Sequence, residues 1–209
     1  MSWNEIFALL FVTIGPVRPS LAFLALTMTA EPSLKRAIAI RAVSVAALVI
    51  VIFTLLGARV LANWRVSVDA LLIAGGVILF VSALQMVIGE EKPAPEGPPP
   101  TPTVESGIFP LASPTIATPH GLVAIVAIEA TLQGTSETMM LIGMILGLMV
   151  LNFLFLIFAH RIFAKIPPPV LKIVPRVLGI LLSAMAVQFI IFGFDGLGLI
   201  PNPEIDVNN

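Results

Sequence analysis

Residues 108–131 read IFPLASPTIATPHGLVAIVAIEAT. The run is long and apolar enough to cross a bilayer, which takes about 20 residues of helix. Yet Pro110, Pro114 and Pro119 interrupt it. Proline inside a helix removes a backbone donor and clashes one turn back. In lipid, the carbonyls freed by such a break need other partners, so a break survives only inside protein or along a water-filled cavity. The same conflict occurs once more, at Ile14-Gly15-Pro16-Val17-Arg18-Pro19-Ser20. Two apolar segments broken in similar places decide the reading of the whole chain.

The rest of the composition agrees with a membrane solvent. Of 209 residues, 58% are hydrophobic and 11% charged. Soluble domains run at about 45–50% and about 25%. A mean hydropathy of +1.06 excludes a soluble or disordered chain. A net charge of −1 offers no surface for nucleic acid. Without cysteine there is no disulfide, thiolate metal site or Cys nucleophile, and two histidines leave little for a zinc site. No Ser-His-Asp set and no paired catalytic Asp is visible. Neither enzymatic activity, metal nor cofactor is expected.

Six spans follow, at roughly Glu5–Thr29, Ala37–Ala62, Val66–Ile88, Ile108–Thr131, Thr138–His160 and Val170–Phe194. They are continuous apolar runs rather than short alternating segments, so helices are expected and not a barrel. The N-terminus lacks a positive region and a cleavage site, so span one is expected to stay. Trp3 and Trp64 fall at span ends, where interfacial aromatics belong. Lys35, Arg36, Arg41, Lys92, Arg161, Lys165, Lys172 and Arg176 lie on one side, against Arg59 and Arg65 on the other. The positive-inside rule then places both termini outside, in a bacterial plasma (inner) membrane.

Gly89–Gly107, GEEKPAPEGPPPTPTVESG, is extended and solvated by composition. It reads as a cytoplasmic linker between a first three-helix repeat (1–88) and a second repeat with a short polar tail (108–209). Each repeat opens with a proline-broken span. Each closes with a glycine-containing span followed by Gln: Gly75-Gly76 then Gln85, and Gly179 then Gln188. With three spans per half, the second starts from the opposite side. The fold expected is all-α and polytopic, with six transmembrane helices in two inverted repeats, an arrangement common among secondary transporters. Gly75-Gly76, Gly143, Gly147 and Gly179 read as packing positions, the middle two as GxxxG.

The breaks fall near the middle of a ~30 Å hydrocarbon core. A half-helix begins after each, and its free N–H groups and positive dipole end suit an anion such as a carboxylate. The substrate-binding residues expected are Gly15, Pro16, Arg18, Ser20, Thr115, Thr118, Pro119 and His120. Arg18 costs at least ~2.5–3.5 kcal/mol inside a membrane, so it requires an anionic ligand or a carboxylate such as Glu129. His120 and Glu129 could couple protons. Asn152, in the middle of span five, suits an interhelical hydrogen bond.

Four phrases in order resemble the MarC family of six-span bacterial membrane proteins, related to amino-acid exporters of the LysE superfamily. They are Phe23-Leu24-Ala25-Leu26-Thr27, Asp69 through Phe80, Pro110 through Ala117, and Arg176 through Gln188. In that family the first break usually carries an acidic or amide residue, a Gly and an Asn, which here are replaced within Gly15–Leu21. Thr118 and His120 stand where glycines are usual. The resemblance implies the six-span fold and a broken-helix site at Pro16, Pro114 and Pro119. Together these features point to a secondary transporter or exporter of a small, amino-acid-like, carboxylate-bearing solute, working by alternating access. The alternative is a non-transporting partner or assembly factor for another membrane protein. The expected partners are the lipid bilayer and a small-molecule solute, with no nucleic acid; a homo-oligomer stays open.

Overall fold

A computed structural model describes residues 2–88, 101–132, 134–163 and 168–200. The proline-rich part of the expected linker (89–100) and the polar tail (201–209) lie outside the described residues. Among the described residues there is helix and no strand. The helices are α1 (Trp3–Ile14), α2 (Val17–Leu26), α3 (Pro32–Asn63), α4 (Val68–Ile88), α5 (Pro119–Thr131), α6 (Thr135–Phe163) and α7 (Pro168–Gly196). A tight turn at Val104–Gly107 and a wide, irregular helix at Ile108–Ile116 precede α5.

Local chemistry sets several of these ends. A reciprocal capping box starts α1: the Ser2 N–H donates to Glu5 Oε2 (2.8 Å), and the Glu5 N–H donates to Ser2 Oγ (3.4 Å). Pro32 sits in the first turn of α3, where its missing N–H costs nothing. The turn out of α3 uses Arg65 in the left-handed region, φ 56°.

Five helical stretches are long and apolar enough to cross a bilayer: Trp3–Leu26, Pro32–Asn63, Val68–Ile88, Thr135–Phe163 and Arg176–Gly196. A sixth is formed if Val104–Ile116 and Pro119–Thr131, bent by 56° at their junction, count as one. Large apolar side chains such as Phe7, Leu48, Val81 and Val150 are exposed along these helices. That is the outer surface expected when the solvent is lipid.

The helices form two bodies of unequal size. The larger buries one core from α1, α2, α3, α5, α6 and the irregular helix, with Leu10, Ile14, Phe23, Ile50, Leu111, Ile125, Ile145 and Leu156 at its centre. The smaller is α4 with α7, the most extensive helix pairing in the molecule, around a separate core of Leu79, Ala83, Leu182 and Ala186. The main contact between the bodies runs through α5 against α4.

Glycines let α4 and α7 approach closely. A Cβ on Gly76 would stand 2.7 Å from the Ala186 carbonyl oxygen, and one on Gly193 would stand 2.6 Å from the Asp69 carbonyl oxygen. A Cβ on Gly179 would meet Val87 and Ala83. The GxxxG pair is different. Nothing lies within 4 Å of a Cβ built on Gly143 or Gly147, so these two glycines pack against no other helix of this chain: this face of α6 looks outward. The reason is helical phase. Leu141, Ile145 and Leu148 take the buried side of α6, and the two glycines fall on the other.

Candidate functional site

The chain leaves helical geometry at Gly15-Pro16, between α1 and α2. Gly15 is extended (φ −73°, ψ 172°), and a Cβ there would collide with the Phe11 carbonyl oxygen. The last carbonyls of a helix have no partner within it. Two of those on α1 are met by side chains from far along the sequence. Thr118 Oγ1 donates to the Thr13 carbonyl (3.1 Å), and Asn152 Nδ2 donates to the Ile14 carbonyl (2.9 Å). Asn152 Nδ2 also reaches the Leu148 carbonyl at 2.9 Å, which holds the amide in place.

The second interruption supplies one of these groups. The irregular helix ends at Ile116, and Thr118 caps α5, its Oγ1 accepting the Gly121 N–H at 3.0 Å. Thr118 is thus bonded in both directions, across to α1 and down onto α5. Gly121 permits the approach, because a Cβ there would stand 2.6 Å from Ile14 Cγ2. The start of α5 therefore packs against the end of α1, and the two interruptions meet.

Beside this junction is a small cavity of ≈ 70 Å³. Gly15, Arg18, Thr115 and His120 line it together with Val12 and Thr13, and Met86 of α4 and Leu178 and Leu182 of α7 close the far side. A volume of that order holds a few waters or a very small organic ion. The first-turn N–H groups of Val17 and Arg18 on α2, and of His120 on α5, have no bonding partner among the described residues. All three residues line the cavity. His120 is 2% exposed, and its Nδ1 is buried with no hydrogen-bond partner. Such an orphaned group costs about 1–3 kcal/mol unless something fills its place.

Of the eight binding residues expected from sequence, the cavity brings together Gly15, Arg18, Thr115 and His120. Thr115 Oγ1 is already committed to the Pro110 carbonyl at 2.7 Å. Pro16 precedes the first turn of α2 and is buried, away from the lining. Ser20 is buried on α2, its Oγ lacking a partner, but does not reach the cavity. Thr118 serves the α1–α5 junction, and Pro119 lines an apolar groove between α3, α4 and α5. Arg18 is exposed at the cavity and makes no ion pair among the described residues. Glu129 lies nine residues beyond His120 on α5, about 13 Å along the axis, and does not line the cavity. Among the described residues no His/Asp/Glu group could hold a metal ion.

Sequence reasoning missed the apolar wall of Met86, Leu178 and Leu182, since nothing marks one lipid-like side chain above another. It flagged Asn152 as an interhelical donor without a partner, because a freed carbonyl leaves no trace in residue type.

The MarC family integral membrane protein model matches residues 2–197. A UPF0056 membrane protein of Methanocaldococcus jannaschii is 28% identical over 193 residues, covering 91% of this chain and 94% of the relative. One from Archaeoglobus fulgidus is 30% identical, covering 91% and 90%. The UPF0056 membrane protein YhcE of Escherichia coli is 28% identical, covering 90% and 89%. No solved structure matches. The chain belongs to the MarC family and is a multi-pass membrane protein.

Proposed function

Starting from this MarC-family membership, we propose that the protein is a secondary transporter of a small, amino-acid-like solute bearing a carboxylate. The cavity at the α1–α5 junction is its binding site. The observation that carries this reading is the convergence on one cavity of Arg18, His120 with its unpartnered Nδ1, and the first-turn residues of α2 and α5. The carboxylate accepts from these donors, and the two helix dipoles favour its charge. Met86, Leu178 and Leu182 take the aliphatic part. His120, in the site, and Glu129, further along α5, are the groups available to couple a proton.

Two arrangements support an inverted repeat as the frame for alternating access. The interruptions occur in the first span of each half and meet. The corresponding later spans also pair across the halves, α3 with α6 and α4 with α7. The side opposite the 89–107 segment is the outer face of a bacterial inner membrane, with both termini there. Reporter fusions active only in the cytoplasm give signal within 89–107 and none at Asn209 if this holds; the reverse pattern overturns the orientation.

The binding reading is tested by thermal shift of the purified protein against acetate, lactate, glycine and alanine. A ligand at 100 times its Kd raises stability by about 2.7 kcal/mol. The expected result is a response to one class of these acids that Arg18→Ala removes and Arg18→Lys restores poorly, since a point charge replaces a planar fork. A full response in Arg18→Ala overturns the role given to this residue. The small volume of the cavity favours a second reading, a membrane partner protein without transport. A flat response to every acid, with no solute-dependent growth or efflux phenotype, supports it.

A further inference from the structure

The boundary that divides the sequence is not the boundary that divides the structure. The first half supplies α4 to one body and α1, α2 and α3 to the other. Halves that each lend an element to the other's body cannot rock apart as rigid units without tearing both cores. The weak boundary lies elsewhere, between the α4–α7 pair and everything else.

Three observations mark it. The pair has its own core, separate from the main one. Its internal packing runs along the whole length of both helices, whereas its contact with the larger body runs mainly through one helix, α5, where Val123 seats on Gly75. Cavities among the described residues also lie on this boundary. The small polar cavity has α1 and α2 on one side and Met86, Leu178 and Leu182 on the other. A larger cavity of ≈ 740 Å³ has Leu9 and Val12 of α1 and Ile128 of α5 on one side, and Leu72 of α4 and Met185 and Phe189 of α7 on the other.

The two cavities follow each other along the helix axes. Gly179 packs beside Val87, and Gly193 beside Ile73, so α4 and α7 are antiparallel. The small cavity is near the end of α4, at Met86, and the large one near its start, at Val68 and Asp69. Val12 lines both. On α7, Leu182 lines the small cavity and Met185, three residues on, lines the large one. Only apolar side chains therefore stand between the two spaces at this level.

We infer that the α4–α7 pair is the moving body, and that the seam it forms with the remaining helices is the path of the solute. Val12 on one bank and Leu182 with Met185 on the other are the partition that opens. The assignment of a solute path rests on the transporter reading above; the motion does not. Tilting the pair about its α5 contact joins the two cavities at one extreme and seals the larger at the other. Both cores stay intact, because no buried contact within either body changes.

The chain contains no cysteine, so introduced pairs report without background. Spin-label distances are measured in lipid nanodiscs on three double variants. Ser136→Cys with Leu197→Cys spans the seam, from α6 to the end of α7. Ala70→Cys with Leu197→Cys lies within the pair, and Ser136→Cys with Asn63→Cys lies within the larger body. The expected result is a two-population distribution, several ångström apart, for the seam alone, with single narrow peaks for the other two. Alanine or acetate, whichever stabilises the protein in the thermal-shift screen, shifts the two populations. Single peaks for all three pairs overturn the inference. A broad distribution for Ala70 with Leu197 also overturns it, because the pair itself then comes apart. Two seam populations that ignore every acid leave the moving body in place and count against the transporter reading alone.

Discussion

The α4–α7 interface and the α1–α5 junction bring backbones close together by opposite chemistry. Where α4 and α7 pack, around Gly76, Gly179 and Gly193, both helices are continuous and the backbone groups there bond within their own helix. Closeness there needs only the removal of side chains, which Gly76, Gly179 and Gly193 provide. Where α1 stops at Ile14, carbonyls are left open, and closeness needs polar side chains placed to meet them: Thr118 and Asn152. In hydrocarbon the first solution draws on dispersion and the second on hydrogen bonds. A continuous helix can be packed with very few atoms. A broken one has to be answered group by group.

The largest expected effect is at the glycine interface. Gly76→Val puts branched carbon against the Ala186 carbonyl and Ile190. Overpacking of this kind costs about 3 kcal/mol, read as a fall in the detergent melting temperature. A variant as stable as the parent would show that the pair is not closely packed. Asn152→Leu comes next, because it keeps the branched shape of the side chain but leaves the Ile14 carbonyl buried without a donor, at about 2 kcal/mol. If it instead stabilises the protein, the junction is not held by this bond. Thr118→Val removes a cap and the bond to the Thr13 carbonyl for about 1 kcal/mol, and Thr118→Ser restores most of it. Equal melting of the Val and Ser variants would exclude the hydroxyl as the cause. The smallest effect is at the outward glycines. Gly143→Ala and Gly147→Ala meet nothing and gain helix propensity, so each is neutral or stabilising by up to about 1 kcal/mol. A marked loss at either would reveal a neighbour on that face.

How much of this was legible in the sequence follows from the same contrast. The spans were legible, since a continuous apolar run allows little else: the stretch expected at Val66–Ile88 is α4 at Val68–Ile88. At Gly15-Pro16, where proline states its own backbone consequence, Gly15 is extended between α1 and α2. Half of the expected binding residues reach the cavity, and the ones that do not are instructive. Thr118 was read as a ligand group because its hydroxyl stands beside a break, yet a carbonyl of α1 already occupies it. Helix pairing was not legible. Between their charged ends, α4 and α7 are apolar but for Ser82, Gln85, Ser183 and Gln188, so no apolar stripe declares which face is buried. Glycine spacing misled for the same reason: the GxxxG of α6 is regular and outward, whereas the glycines that pack in α7, Gly179, Gly193 and Gly196, follow no regular spacing.

The seal on α1 also dictates an order of assembly. The carbonyls of Thr13 and Ile14 emerge with the first span, but their donors, Thr118 and Asn152, are more than 100 residues downstream. A nascent chain that has released only its first three helices carries two open acceptors at membrane depth. Lipid offers them nothing, so span one stays beside the insertion machinery, or in contact with water, until α5 and α6 have followed. The expected consequence is that the first half expressed alone is unstable in the membrane and that co-expression of the second half rescues it.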